Sequence, residues 1–313
     1  MLFATLPPIQ EDEALEKIIS CPDIDAVRYN TGYRTLKSAQ EVISGLKSLC
    51  GHYNKELWID LEGRQLRVTN QSYPRYGGQV VLNRAVNIEL PAYAHFRGFG
   101  WYEIAEADGD TIFIKGLERG TLGDGQTVNI RARSISLNGY LTPGDVDFIT
   151  AGFEMGVMNF MLSFAESCED IAEAEEALAL NGFDARKHKA RIRLKIESPR
   201  GLEYVSRTDR SFFSEYDLIA ATDDLFTNIG ADKFSLTDAL RSIIRADRNA
   251  ILASNIFSGL EGRNGTVTAG DIAYMELMRR YGYKHFMLSD GICHFHFEDA
   301  MRQWRYFKGR IKK

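Results

Sequence analysis

Three observations predict an α/β fold, a TIM (β/α)8 barrel with a small all-β domain inserted after the third strand. Eight short apolar strands fall near residues 3, 26, 58, 160, 194, 220, 252 and 287, nearly all followed by a helical pattern. Between Val68 and Tyr140 helical periodicity gives way to short β-rich runs separated by Gly/Asp turns. No GxGxxG follows any strand and there is no P-loop, which counts against a dinucleotide-binding doubly wound sheet. The expected boundaries are 1–68 and 141–313 for the barrel and 69–140 for the insert, a lid joined near Arg67–Val68 and Tyr140–Leu141.

In chain order, residues 2–6 read as a strand, and Glu11 to Ile19 as a helix with Leu15, Ile18 and Ile19 on one side. Ile24 to Tyr29 is the second strand, ended by Asn30-Thr-Gly, and Ser38 is the N-cap of a helix reaching Leu49. Leu57 to Leu61 is the third strand, stopped by Glu62-Gly63. The insert's runs are Gln79–Asn83, Val86–Leu90, Trp101–Ile104, Thr111–Ile114 and Thr127–Arg131. Ala107-Asp-Gly-Asp is a hairpin turn there, and Gly120 with Leu122-Gly-Asp-Gly a second reversal. Pro143 suits a first helical position, and the helix covers Asp145 to Gly156. A strand at Val157–Phe164 and a helix at Glu169–Asn181 follow. Ala190 to Arg200 alternates apolar and charged residues and stops at Pro199 and Gly201. Then come strand Leu218–Thr222 closed by Asp223-Asp224, helix 235–247, strand Ala250–Ser254, helix 271–281, strand His285–Ser289 and a basic helix through Trp304.

Composition narrows the function classes. The 313 residues are 44% apolar and 26% charged, ordinary for a globular chain with a large core. A net charge of −5 argues against nucleic-acid binding, which needs clustered Lys and Arg. The four cysteines are far apart and make no CxxC, so neither a zinc site nor a disulfide framework is expected. No apolar run approaches the length of a membrane span, and no secretory leader opens the chain, so a cytoplasmic protein without membrane attachment is expected. A homo-oligomer is compatible with all of this.

A barrel gathers the C-terminal ends of its strands at one face. The polar residues at those ends are Arg28, Asn30, Asp60, Ser163, Lys195, Glu197, Asp224 and Ser254. Lys195 and Glu197, two apart, share one face of their strand. Taken alone they read equally well as an exposed surface ion pair. Glu197 and Asp224 form half of an oxygen shell for Mg²⁺ or Mn²⁺, completed by substrate and water. Arg28 and Lys195 suit an anionic group of a small-molecule substrate. His294 and His296 read as loop histidines, and Arg302 to Lys313 as a solvated amphipathic terminal helix.

Taken together these stretches resemble the pyruvate kinase family over nearly the whole chain. Phe3-Ala-Thr-Leu-Pro-Pro resembles the family's "ATLGP", Arg28-Tyr-Asn-Thr-Gly "RLNFS", and Ile59-Asp-Leu-Glu-Gly-Arg-Gln-Leu-Arg67 "LDTKGPEIR". Leu141-Thr-Pro-Gly-Asp and Leu162 to Asp170 are similar to "LSEKD" and "LSFVRSAED", and Leu194-Lys-Ile-Glu197 to "AKIEN". Ala221-Thr-Asp-Asp-Leu225, Leu252-Ala-Ser-Asn-Ile256 and Met287-Leu-Ser-Asp-Gly291 stand where the family has "ARGDL", "VATQM" and "MLSGE". The resemblance implies phosphoryl transfer on phosphoenolpyruvate or a related enol-phosphate or 2-oxo acid, with a nucleoside diphosphate as partner. It implies Glu197 and Asp224 as metal ligands, and Lys195, Arg28 and Ser254 as catalytic residues. Asn30, Asp60, Ser163 and Asp223 are the substrate-side positions, Asn30 and Asp60 matching ligands of the family's monovalent cation.

The departures are specific. Gly32 and Leu61 replace hydroxyl residues at that cation site, so the pattern does not support a potassium requirement. Glu62 replaces a lysine, and Thr222-Asp223 replaces an Arg-Gly that receives the substrate carboxylate. The chain stops at Lys313, so the family's C-terminal regulatory domain is not expected. A metal-dependent pyruvate aldolase or lyase, or a degenerate metabolite-binding barrel, are the alternatives.

Overall fold

The computed structural model describes residues 1–69, 78–116, 122–180 and 190–311. Gly120 of the second predicted reversal and Asn181 at a predicted helix end lie outside them. The chain forms two compact units. One comprises Met1–Thr31, Thr35–Leu61 and Pro143–Lys313, the other Gly32–Arg34 and Glu62–Thr142.

The first unit opens with β1 (Leu2–Thr5), α1 (Asp12–Ile19), β2 (Ala26–Asn30), α2 (Ala39–His52) and β3 (Glu56–Leu61). The second contributes β4 (Leu66–Arg67), β5 (Gln79–Val81), β6 (Val86–Ile88), β7 (Ala92–Phe96), β8 (Gly100–Asp108), β9 (Thr111–Ile114), β10 (Thr127–Ala132) and β11 (Ile135–Leu137). The chain then returns through α3 (Pro143–Met155), β12 (Asn159–Leu162), α4 (Cys168–Leu180), β13 (Arg191–Ile196), α5 (Pro199–Arg207), β14 (Tyr216–Ala221) and α6 (Thr222–Asn228). It ends with α7 (Ser235–Ala246), β15 (Ile251–Ala253), α8 (Ala269–Tyr281), β16 (His285–Leu288), α9 (Asp290–Phe295) and α10 (Phe297–Ile311).

The eight strands of the first unit close a parallel barrel in the order β1, β16, β15, β14, β13, β12, β3, β2. This is the TIM barrel expected from the strand count. Alternation along each strand sorts side chains between helices and lumen. On β13, Ile192, Leu194 and Ile196 are buried toward the helices, while Arg193 and Lys195 point inward. An apolar layer of Phe3, Ala26, Trp58, Met161, Ile219, Ile251, Ala253 and Met287 fills the lumen. At the barrel's N-terminal end the Arg193 guanidinium lies 4.0 Å over the Trp58 ring and donates to Asp217 at 3.1 Å. That packing seals the floor, so polar chemistry is confined to the opposite mouth.

The Ser38 cap of α2 forms a full capping box with Glu41. Three short helices depart from the sequence reading. Ser198-Pro199 starts α5, with the Ser198 hydroxyl accepting from the Gly201 N–H, where a turn alone is expected. Asp223 and Asp224 lie in the first turn of α6 instead of a strand-ending loop. His294 is in α9, not a loop, and its Nε2 sits 2.6 Å from the Glu11 carboxylate. The terminal helix is amphipathic as expected, with Arg302, Arg305 and Arg310 exposed on one face. Met301, Trp304 and Phe307 are buried, and Trp304 packs edge-on to Phe286 at 5.5 Å.

The second unit is a six-stranded antiparallel sheet ordered β4, β10, β7, β8, β9, β5, with a two-stranded β11–β6 ribbon. Val80, Phe96, Ile104, Ile112 and Val128 form its core. Gly109, with φ +58, turns the chain between β8 and β9 at the predicted Ala107-Asp-Gly-Asp hairpin. The place of a side chain at Gly32 is taken by the Arg67 guanidinium, itself paired with Glu62 at 2.6 Å. Among the described residues, no helix is long and apolar enough to cross a membrane. All four cysteines are free thiols.

Candidate functional site

The mouth of the barrel is organised by Lys195. Its ammonium lies 3.1 Å from Asp60, 3.0 Å from Glu197 and 2.9 Å from the Ser163 hydroxyl. These side chains come from β13, the end of β3 and the residue after β12, which the barrel brings side by side. The Lys195 and Glu197 side chains are only 10% and 1% exposed, so this is not the surface ion pair that the segment alone allows. Isolating these charges from water is costly unless each is paired, and each is.

Asp60 is the second hub. It accepts from Arg28 Nε at 2.6 Å and from the Ser163 hydroxyl at 3.2 Å, and its Oδ2 also meets Arg28 Nη2. Arg28 Nη1 donates to the Thr5 hydroxyl at 3.0 Å, and Thr5 in turn donates to the Leu288 carbonyl. Burial opposes ionisation of Asp60, but the charges and hydrogen bonds of Arg28 and Lys195 outweigh it and hold its pKa below the usual value. For Lys195, burial favours the neutral amine, yet Asp60 and Glu197 raise its pKa above the ordinary range. The lysine is therefore a permanent buried cation.

Glu197 differs. Burial is the main cause raising its pKa to about 7, the negative charges of Asp224 and Asp60 add to it, and Lys195 only partly offsets them. Its Oε2 accepts from the Phe164 N–H at 2.6 Å. A buried carboxylate whose ionisation is opposed by the nearby negative charge of Asp224 suits a hard divalent cation with open positions. Glu197 and Asp224 thus fit half a shell for Mg²⁺ or Mn²⁺, and no group of three or more His, Cys, Asp or Glu able to hold a metal exists among the described residues.

Arg28, Asp60, Ser163, Lys195 and Glu197 form one connected network, and the charge of Asp224 acts on both Lys195 and Glu197. Asn30 sits in register beside Asp60 at the end of β2. Ser254 is held by its own N–H on the Met287 carbonyl at 3.3 Å, in a left-handed backbone with φ +66. Asp223 acts on Tyr274, whose hydroxyl bonds Thr222 at 2.8 Å; burial raises the pKa of that phenol and the charge of Asp223 adds to it. Of the five non-glycine residues with positive φ among those described, Phe164, Ser254, Asn255 and Phe257 follow β12 or β15 at the mouth. Backbone strain of this kind clusters at functional sites. The sequence pattern of polar strand ends does not include Thr5 or the Phe164 N–H. Thr5 was visible, being in phase with the inward Phe3 on β1, whereas a backbone donor leaves no mark in side-chain patterning. His294 and His296 line a separate open cleft of about 740 Å³ with Glu11, Asp12 and Glu298.

No family profile matches the chain. It is 26% identical over 226 residues to a pyruvate kinase of Thermoplasma acidophilum, a match that covers 67% of this chain and 39% of that protein. The chain therefore spans about two fifths of that relative's length, and the likeness is a distant one to a pyruvate kinase.

Proposed function

We propose that this chain is a pyruvate kinase-like, metal-dependent barrel enzyme acting on phosphoenolpyruvate or a related enol-phosphate or 2-oxo acid. The observation that carries the reading is the buried ammonium of Lys195, wedged between Asp60, Ser163 and Glu197 at the barrel mouth. Preset cations in a water-poor site act where negative charge develops in a transition state. Lys195 is the group for charge growing on the migrating phosphoryl group and the enolate left behind. Arg28 binds the phosphoryl oxygens from the facing strand, and Asp60 orients both cations. Glu197 and Asp224 hold Mg²⁺ or Mn²⁺, which when bound supplies charge neutralisation at the substrate oxygens. The Ser254 hydroxyl lies on the strand end suited to proton delivery to the enolate carbon. A nucleoside diphosphate is the phosphoryl acceptor.

One observation favours a second reading, a metal-dependent pyruvate aldolase or lyase. Arg28 is already bound to Asp60 and Thr5, and enolate chemistry at a metal needs no cation for a phosphoryl group. Lys195→Met separates the two. The test measures pyruvate formation from phosphoenolpyruvate and a nucleoside diphosphate with Mg²⁺, alongside deuterium exchange at the methyl group of pyruvate. Loss of a preset charge of this kind costs on the order of 10²- to 10³-fold in rate. Phosphoryl transfer is expected to fall by that factor and exchange by much less. Absence of phosphoryl transfer in the wild type, with exchange present, favours the aldolase reading.

A further inference from the structure

We infer that Phe164 is a positioning residue whose left-handed backbone aims its N–H at Glu197 and presets that carboxylate for a cation. The inference rests on the metal site proposed above. Phe164 has φ +52, a region that side chains with a Cβ seldom adopt. The reason lies in what its neighbours do. The Ser163 hydroxyl accepts from Lys195 Nζ at 2.9 Å, the Phe164 N–H donates to Glu197 Oε2 at 2.6 Å, and the Ala165 N–H donates to the Lys195 carbonyl at 3.2 Å. Three consecutive residues thus each bond to the end of β13. An extended chain turns successive N–H groups to opposite sides. The left-handed residue between them lets the N–H groups of 164 and 165 both face β13.

The segment is fixed from its other end as well. Asp170 accepts from the N–H groups of Glu166 and Ser167, at 2.8 Å and 3.2 Å, and Glu166 accepts from the Ser198 hydroxyl that caps α5. Glu197 is in consequence gripped at both oxygens, Oε2 by Phe164 and Oε1 by the Lys195 ammonium at 3.0 Å. One acceptor direction is left on each oxygen. A carboxylate held in this way meets a cation without first being ordered, which is the usual gain from preorganisation.

The experiment compares Phe164→Asn and Phe164→Gly, which tolerate a left-handed backbone, with Phe164→Val and Phe164→Ile, which do not. Calorimetric Mn²⁺ affinity should stay near wild type in the first pair and weaken on the order of tenfold in the second, the size of effect set by the left-handed penalty. Equal weakening in all four would assign the effect to the phenyl ring and overturn the inference, as would wild-type affinity in Phe164→Val. A second readout needs no metal. Hydrogen exchange of the residue 164 amide should be slow in the metal-free wild type and markedly faster in Glu197→Leu, which keeps no acceptor for it. Unchanged exchange overturns the inference even if the β-branched variants fail to fold. Wild-type Mn²⁺ affinity in Glu197→Gln, by contrast, sinks the proposed metal site and leaves the amide result to decide the role of Phe164.

Discussion

Glu197 carries the titration that folding imposes on the mouth. Its pKa rises to about 7, from burial first and then from the charges of Asp224 and Asp60. The folded protein therefore binds a proton there that the unfolded chain releases nearer the ordinary carboxylate value. A raised acid pKa favours the folded state below the unfolded value, and that contribution is lost as pH climbs through the folded one. Asp60 works in the opposite sense, because its lowered pKa adds stability that disappears only on acidification below the usual carboxylate range. Urea unfolding of the metal-free protein should thus show a loss of roughly 3 kcal/mol, at most, assignable to Glu197 between about pH 4.5 and pH 7. Glu197→Gln should remove that part of the slope; identical pH profiles for the two proteins would show that Glu197 does not titrate there. The two-residue spacing of Lys195 and Glu197 made their shared face legible in the sequence. Their burial was not, because Asp60, which turns a surface pair into an interior network, comes from 135 residues away.

The loop after β15 shows how an element can be held by one carboxylate. Asp271, in the first turn of α8, accepts from the Ser258 hydroxyl, the Gly259 N–H and both the N–H and hydroxyl of Thr268. Gly259 is required because a Cβ there would run into Asp271 Oδ2 and come within 2.8 Å of the Thr266 carbonyl. Gly259→Ala should therefore destabilise by about 1–3 kcal/mol, the range for forced overpacking. Gly309, inside α10 with nothing within 4 Å of a Cβ, is the matched control. Gly309→Ala should stabilise by roughly 0.5–1 kcal/mol through helix propensity. Thermal and urea unfolding of both variants test the contrast, and a neutral Gly259→Ala would mean that the loop yields without cost. The long helices and the barrel strands were readable because their apolar periodicity spans several repeats. The helices α5, α6 and α9 were not, since each buries only two residues in its length, whereas the eight-residue α1 shows Leu15, Ile18 and Ile19 on one face. Ser198-Pro199 also fits a turn as well as it fits a helix start.

At the scale of the molecule, barrel closure and the inserted sheet are separable on paper. The change from period 3.6 to short β runs marks the insert in the sequence, but β4, β7 and β11 are not among those runs. A two-residue strand has no period, and Ala92–Phe96 alternates small and aromatic residues whose burial depends on partners in β8 and β10. The hydrogen-bond circuit of the barrel passes straight from β3 to β12 through Ile59–Phe160, Asp60–Met161 and Leu61–Leu162, bypassing everything between. The insert has an apolar core of its own around Val80, Phe96, Ile112 and Val128. Replacing residues 63–141 with a short Gly/Ser linker should therefore leave a barrel that still melts cooperatively, with the far-UV signature of an α/β protein, because no barrel strand loses a partner. Lys195, Asp60, Ser163 and Glu197 all lie in the retained unit. Calorimetric Mn²⁺ binding should accordingly survive the replacement. A truncated protein without a cooperative transition would show that the insert is needed to complete the barrel's fold. A folded one that no longer binds Mn²⁺ would place part of the cation site outside the strand ends to which Glu197 and Asp224 belong.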